Sequence, residues 1–153
     1  MRTLLTSFVI AIILFASSVT IHAQDSDEAL AILIPGSGTY SRTISTDSAT
    51  TQQFFDQGLR MTWSFYFPES IASYQEAARH DPDHPMPYFG LAHAIGPNPN
   101  SRYAGMPDDP QGTGLEAIRT ALSLIDNGTP VEQDMIRALY VLYDKDAIPD
   151  SKE

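Results

Sequence analysis

The chain has 153 residues, 42% hydrophobic and 10% aromatic, which is enough apolar material for one packed domain and too much for wholesale disorder. Nineteen Asp and Glu against nine Lys and Arg give a net charge of −10, which argues against binding nucleic acid or anionic lipid surfaces by bulk electrostatics. Cysteine is absent, and that excludes disulfides, thiolate nucleophiles, Cys-ligated zinc, iron–sulfur clusters and covalently attached c-type haem.

Residues 1–23 read as a signal peptide. Met1-Arg2-Thr3 carries the positive charge, Leu4 to Val19 is almost wholly apolar, and Ala23 offers a small residue for cleavage before acidic sequence. The apolar run is shorter than the roughly 18–20 residues of a spanning helix. The expected location is therefore periplasmic or secreted, with no membrane attachment once the signal is removed; retention as an N-terminal anchor is the alternative. Residues 24–48 read as an irregular leader. An apolar stretch, Ala29 to Ile34, ends at Pro35-Gly36-Ser37-Gly38, and Thr39 to Ser48 is rich in Ser and Thr. Leu30, Ile32, Leu33 and Tyr40 are the residues expected to pin this leader to the body. Its glycines lack the Lys of a phosphate loop and the Gly-x-Ser-x-Gly of a nucleophile elbow.

From Ala49 the apolar period becomes helical, with Phe54, Gly58, Met61 and Phe65 on one face, Asp47 or Ser48 as cap, and Pro68 at the end or in the turn beyond. A second helix is expected from Glu69 to Arg79, stopped by Asp81-Pro82. A third starts at Pro85 and Pro87 and ends at Ile95, before Gly96-Pro97-Asn98-Pro99-Asn100. A fourth covers Gly114 to Asp126. A fifth opens on Thr129-Pro130-Val131-Glu132, a cap, a proline at the first helical position and a Glu three residues after the cap, and continues to Tyr143. The predicted fold class is all-α, with about five helices in antiparallel hairpins after the signal and the leader.

The chain also repeats itself. Gly58 and Ala92 lie 34 residues apart, and Phe54, Gly58, Ser70, Tyr74, Ala77 and Pro82 take the offsets of a tetratricopeptide repeat, while Gln57 and Met61 depart from its usual Leu and Tyr. A small residue at Gly58 would let two antiparallel helices approach, with aromatics filling the gap between hairpins. These units divide the mature chain into repeat 1 (49–84), repeat 2 with a long inserted loop (85–128), and the first helix of an incomplete third repeat with a tail (129–153). The strings FFDQGLRMTWSFYFPESIASYQEAARHDP, HPMPYFGLAHAIGPNPN and TPVEQDMIRAL resemble bacterial exported tetratricopeptide-repeat proteins over residues 38–145. The resemblance implies a scaffold fold and no particular chemistry. Members of that family are usually longer, so it also implies an N-terminal portion of that architecture. Asn-His before the second helix and Cys near the third, frequent in the family, are replaced here by Phe67-Pro68 and Met86.

In such arrays the first helix of each hairpin lines a concave groove. The expected partner-binding residues are Gln52, Phe55, Leu59, Thr62 and Trp63 from the first unit, with Met86, Phe89 and His93 from the second. An apolar, aromatic groove suits an extended or helical peptide, and the acidic chain favours a basic one. A second reading gathers His80, His84 and His93, with Asp81 and Asp83, as ligands of Zn or Cu in a metal-binding or redox-accessory protein. Against it, Pro82 interrupts the helix between His80 and His84, and His84 stands where a cap belongs. No cofactor is expected on the first reading. The loop from Gly96 to Thr113 offers Asn98, Asn100, Arg102, Tyr103, Asp108 and Asp109, which are oxygen donors but not at EF-hand spacing. No catalytic constellation is recognisable, and no enzyme activity is expected. A third reading is an incomplete product, which would expose Val131, Met135, Leu139 and Leu142 of the last helix and self-associate through them.

Overall fold

Five α-helices and no strand make up the ordered elements among the described residues, 28–96 and 107–143 of a computed structural model. They are α1 (Ala49–Trp63), α2 (Phe67–His80), α3 (Pro85–Ile95), α4 (Pro110–Ser123) and α5 (Pro130–Tyr143), with one 3-10 turn at Ile125–Asn127. The expected signal peptide, the loop residues Asn98 to Tyr103 and the tail beyond residue 143 lie outside the described residues. The all-α class read from the periodicity is the observed one, and no helix among the described residues is long and apolar enough to cross a membrane.

Local chemistry sets most helix starts. Ser48 Oγ accepts the Thr51 N–H at 3.1 Å, and the Asp109 carboxylate accepts the Gly112 N–H at 2.9 Å. Thr129 and Glu132 form a reciprocal box: the Thr129 N–H donates to Glu132 Oε2 at 2.7 Å, and the Glu132 N–H donates to Thr129 Oγ1 at 3.4 Å. Two boundaries differ from expectation. Pro68 opens α2 instead of closing α1, because a first turn has no use for the proline's missing N–H. Helix α4 starts at Pro110, four residues ahead of Gly114, on the Asp109-Pro110 cap.

Tyr74 of α2 sits between α1 and α3. A Cβ built on Gly58 would lie 2.8 Å from its ring, and one on Gly90 would clash with it more severely, so both glycines admit the tyrosine by lacking a side chain. Phe55 meets the same ring edge-on at 5.5 Å. The Thr62 and Ser70 hydroxyls both donate to the Gly58 carbonyl, at 2.9 and 2.7 Å, and draw α1 against α2. At the other end Tyr143 of α5 packs on Gly114, and its hydroxyl donates to the Ala92 carbonyl. The bare face expected on α5 is therefore covered only in part. Leu139 is buried with Ile136 and Tyr143, Met135 is half-buried, and only Val131 and Leu142 of the expected four remain exposed, next to Val141.

The leader folds back on itself along α1, turning at Gly36 and Gly38, whose φ values of 78° and 103° belong to the left-handed region. Leu30, Ile32, Leu33 and Tyr40 do not pin it; all four are exposed. Its anchoring is polar and mostly through its main chain, with Ile44 as its buried side chain.

Candidate functional site

Helices α1, α3 and α5 and the leader enclose a pocket of about 130 Å³. Five of the eight expected residues meet there: Phe55, Leu59 and Trp63 from one stripe of α1, and Phe89 and His93 from α3. Phe55 forms the floor and is buried, whereas Trp63 is 66% exposed at the rim. The Phe89 and His93 rings stack at 6.2 Å, 10° from parallel, and the Trp63 ring lies 6.3 Å from His93. Burial pushes the His93 pKa down, so its imidazole is neutral near pH 7 and behaves as another flat ring. A shallower hollow of about 470 Å³ continues outward between Arg60, Trp63, Ser64 and the leader turn at Ser37 to Tyr40. Next to it Phe65 holds a φ of 64°, a strained conformation for a bulky residue, and is exposed with Tyr66.

Three expected residues are placed otherwise. Thr62 is interior, on the α2 side of α1, with its hydroxyl 2.6 Å from Ser70 Oγ. Met86 is fully buried in the core, because the first turn of α3 is enclosed on all sides. Gln52 is half-buried and already engaged with the leader. Conversely, Tyr40 and Arg42 of the leader, Tyr74 of α2 and Met135 of α5 line the pocket and were not foreseen there. Tyr40 carried a signal as an exposed-type aromatic in a polar stretch. Arg42 and Met135 carried none, since the Arg42 Nη2 that donates to Met135 Sδ at 2.8 Å comes from 93 residues away.

The leader's hold is specific. Gln52 Nε2 donates to the Arg42 carbonyl and Gln52 Oε1 accepts the Ile44 N–H, both at 2.9 Å. Asp56 Oδ1 accepts the Arg42 N–H at 2.9 Å. On the first limb, Gln57 does the same for the Ile32 carbonyl (2.9 Å) and the Ile34 N–H (2.7 Å), and Glu76 Oε2 accepts the Leu30 N–H at 2.9 Å. Arg60 bonds the turn between the limbs, at the Tyr40 carbonyl (2.9 Å) and Ser37 Oγ (3.3 Å). The Glu76 carboxylate is held down to about 2, first by its hydrogen bond from Arg79, which outweighs the cost of burial.

The three candidate metal ligands are not brought together, and no group of three His, Asp or Glu suited to a metal occurs among the described residues. His80 bonds Glu76 at 3.0 Å and stacks on Phe54, His93 lies in the aromatic pocket, and His84 lies between the leader and the start of α5. His84 Nε2 is 3.1 Å from Ser45 Oγ, which itself donates to Glu132 Oε2 at 2.6 Å. This resembles a nucleophile triad only in composition. His84 Nδ1 accepts the Met86 N–H at 3.2 Å, so the proton sits on Nε2 and points at Ser45. A ring in that tautomer cannot take a proton from the serine. The cluster instead ties the leader to the cap of α5, and burial keeps His84 below the usual imidazole range against the pull of Glu132 and Asp81.

Compared with protein-family models, curated proteins and solved structures, the chain finds no match in any of the three.

Proposed function

We propose that the chain is a non-catalytic, tetratricopeptide-like scaffold, exported to the periplasm or secreted, that binds a protein or peptide segment in the groove between α1, α3 and the leader. The observation that carries this reading is the exposed Trp63 beside the Phe89–His93 stack, above a pocket of about 130 Å³ that opens into a wider hollow. Large aromatic rings left in water around a concavity are typical of a surface that another molecule covers, and Trp is prominent among residues that dominate binding energy. The repeat offsets of Phe54, Gly58, Tyr74 and Pro82 support the hairpin-array part of the reading, and the apolar N-terminal run supports export. The partner's apolar side chains would lie against Trp63 and Phe89, over the floor already made by Phe55. The net charge of −10 would speed encounter with a basic partner.

Quantitative crosslinking from an extract of the source cells tests the reading, with a photoreactive group next to Trp63. The double substitution Trp63→Ala and Phe89→Ala should cut capture at least about tenfold, at unchanged helix content, as loss of two aromatic anchors worth about 1 kcal/mol or more implies. Unchanged capture would overturn it.

A further inference from the structure

The second limb of the leader, residues 39–46, crosses the groove without helix or turn and bends at Ser45, and we propose that it is the groove's own ligand, bound in cis and replaceable. The partner it stands in for is an extended segment with a basic residue, any residue, a β-branched aliphatic and then a hydroxyl residue, as in Arg42-Thr43-Ile44-Ser45. This deepens the groove reading above and rests on it.

The first reason is the way the limb is held. Gln52 takes the carbonyl of Arg42 and the N–H of Ile44, the same two groups that one residue of a parallel neighbouring strand would take. Asp56 takes the Arg42 N–H on that same edge. One stripe of α1 thus reads the edge of a strand with side chains in place of a β-partner, as in recognition of extended peptides by main-chain bonds with side-chain pockets for selectivity. Any extended segment with N–H groups at those two positions offers the same edge.

The second reason is where selectivity lies. Ile44 is 4% exposed and is the limb's buried apolar anchor. The Arg42 side chain passes along the aromatic pocket to Met135. Ser45 gives its N–H and its hydroxyl to the two oxygens of Glu132, at 2.9 and 2.6 Å. Thr39, Ser41 and Thr43 are exposed, and Tyr40 is exposed at the border of the pocket. Thr46 Oγ1 also donates to Asp81 Oδ2, at 2.5 Å. A segment seated by four side chains and a few main-chain bonds exchanges more readily than one packed into a core. The third reason is continuity. Tyr40 and Arg42 border the open pocket, so residues ahead of the basic position in a longer partner would run over Trp63 and Phe89.

The probe is a fluorescein-labelled peptide with the sequence of residues 39–46, titrated into the full chain by anisotropy. In the intact protein the tethered limb competes at roughly millimolar effective concentration, so binding in trans should be weak. The leader variant Arg42→Pro with Ile44→Pro removes the two N–H donors that Asp56 and Gln52 take, and leaves α1 untouched. It should bind the peptide about tenfold tighter or more, as the competent fraction rises. Adding Gln52→Ala and Asp56→Ala to that variant should return the affinity to the weak level or below. A peptide with proline at the isoleucine position should not bind. Should the leader variant lose helix content, hydrogen exchange on the unsubstituted chain carries the test alone: excess peptide should speed exchange of the Arg42 and Ile44 amides. Peptide binding that leaves those amides protected, or that ignores Gln52 and Asp56, overturns the inference. Crosslinking that depends on Trp63 and Phe89 without any peptide binding leaves the groove reading standing and sinks this one. Peptide binding that depends on Gln52, with no Trp63-dependent capture, does the reverse.

Discussion

On the side of α1 that faces α2, the contacts are close and interior: Gly58 against the Tyr74 ring, Phe55 edge-on to it, and hydroxyls of Thr62 and Ser70 sealing the Gly58 carbonyl. On the side that faces the leader, Gln52, Gln57 and Arg60 donate to, and Asp56 accepts from, a chain whose apolar residues mostly remain in water. One helix therefore carries two kinds of interface. The first depends on shape and cannot be exchanged without losing the fold. The second depends on a pattern of main-chain donors and acceptors that another extended segment can reproduce.

The sharpest way to break this contrast is at Tyr74. Tyr74→Ala removes the ring that spans Gly58, Gly90 and Phe55, and should cost about 3–5 kcal/mol by denaturant unfolding, as for other large buried aromatics. Gly58→Ala attacks the same contact from the helix. Its added Cβ lies 2.8 Å from the ring, so it should destabilise by about 1–3 kcal/mol despite alanine's better helix propensity. A neutral or stabilising result would mean that the α1–α2 side is as tolerant as the leader side.

Acid should loosen the leader next. Glu76 is held down to about 2, so the stability it contributes is complete above its ordinary value of 4.5 and is lost as pH falls from there toward 2. Since Glu76 also takes the Leu30 N–H, the first limb should lose amide protection in the same window, and Glu76→Gln should flatten that part of the pH profile. His84 acts in a higher window. Its pKa lies below the usual 6.5 through burial, so its contribution is present above that value and fades as pH drops below it. Protonated, its Nδ1–H would face the Met86 N–H that it now accepts, and the start of α3 should fray.

How much of this could be read beforehand follows the same division. Local and periodic features were legible: the Ser48 cap, the Thr129–Glu132 box, and the stripe of Phe55, Leu59 and Trp63 that does line the pocket. Thr62 lies one position from Trp63 yet faces α2, and Met86 belongs to a helix enclosed all round, so an offset rule alone misplaced both. The leader was the least legible part. Apolar residues suggested how it would dock, but its Leu30, Ile32 and Leu33 stay exposed, and docking is largely by main-chain groups that every residue possesses. A glutamine that clamps a backbone has no sequence signature; only the fold brings Gln52 to Arg42 and Ile44.

Gln52→Ala is therefore a smaller perturbation than any change at Tyr74. It deletes two hydrogen bonds to the limb at a half-buried site and should cost about 1–2 kcal/mol globally. Its mark should be local, as faster exchange at the Ile44 amide than at α1 amides.

Trp63→Ala should have the smallest effect on stability, and that is its value. The side chain is 66% exposed at the end of α1, so its truncation should shift unfolding by no more than about 0.5 kcal/mol, as for ordinary surface positions. A protein gains little stability from an indole held in water beside Phe89 and His93. If the variant unfolds at the same denaturant concentration and loses its partner, Trp63 is a binding residue with no structural duty. If instead it destabilises the fold by 2 kcal/mol or more, the ring is a structural cover for the pocket, and the leader side of α1 belongs with the α2 side after all.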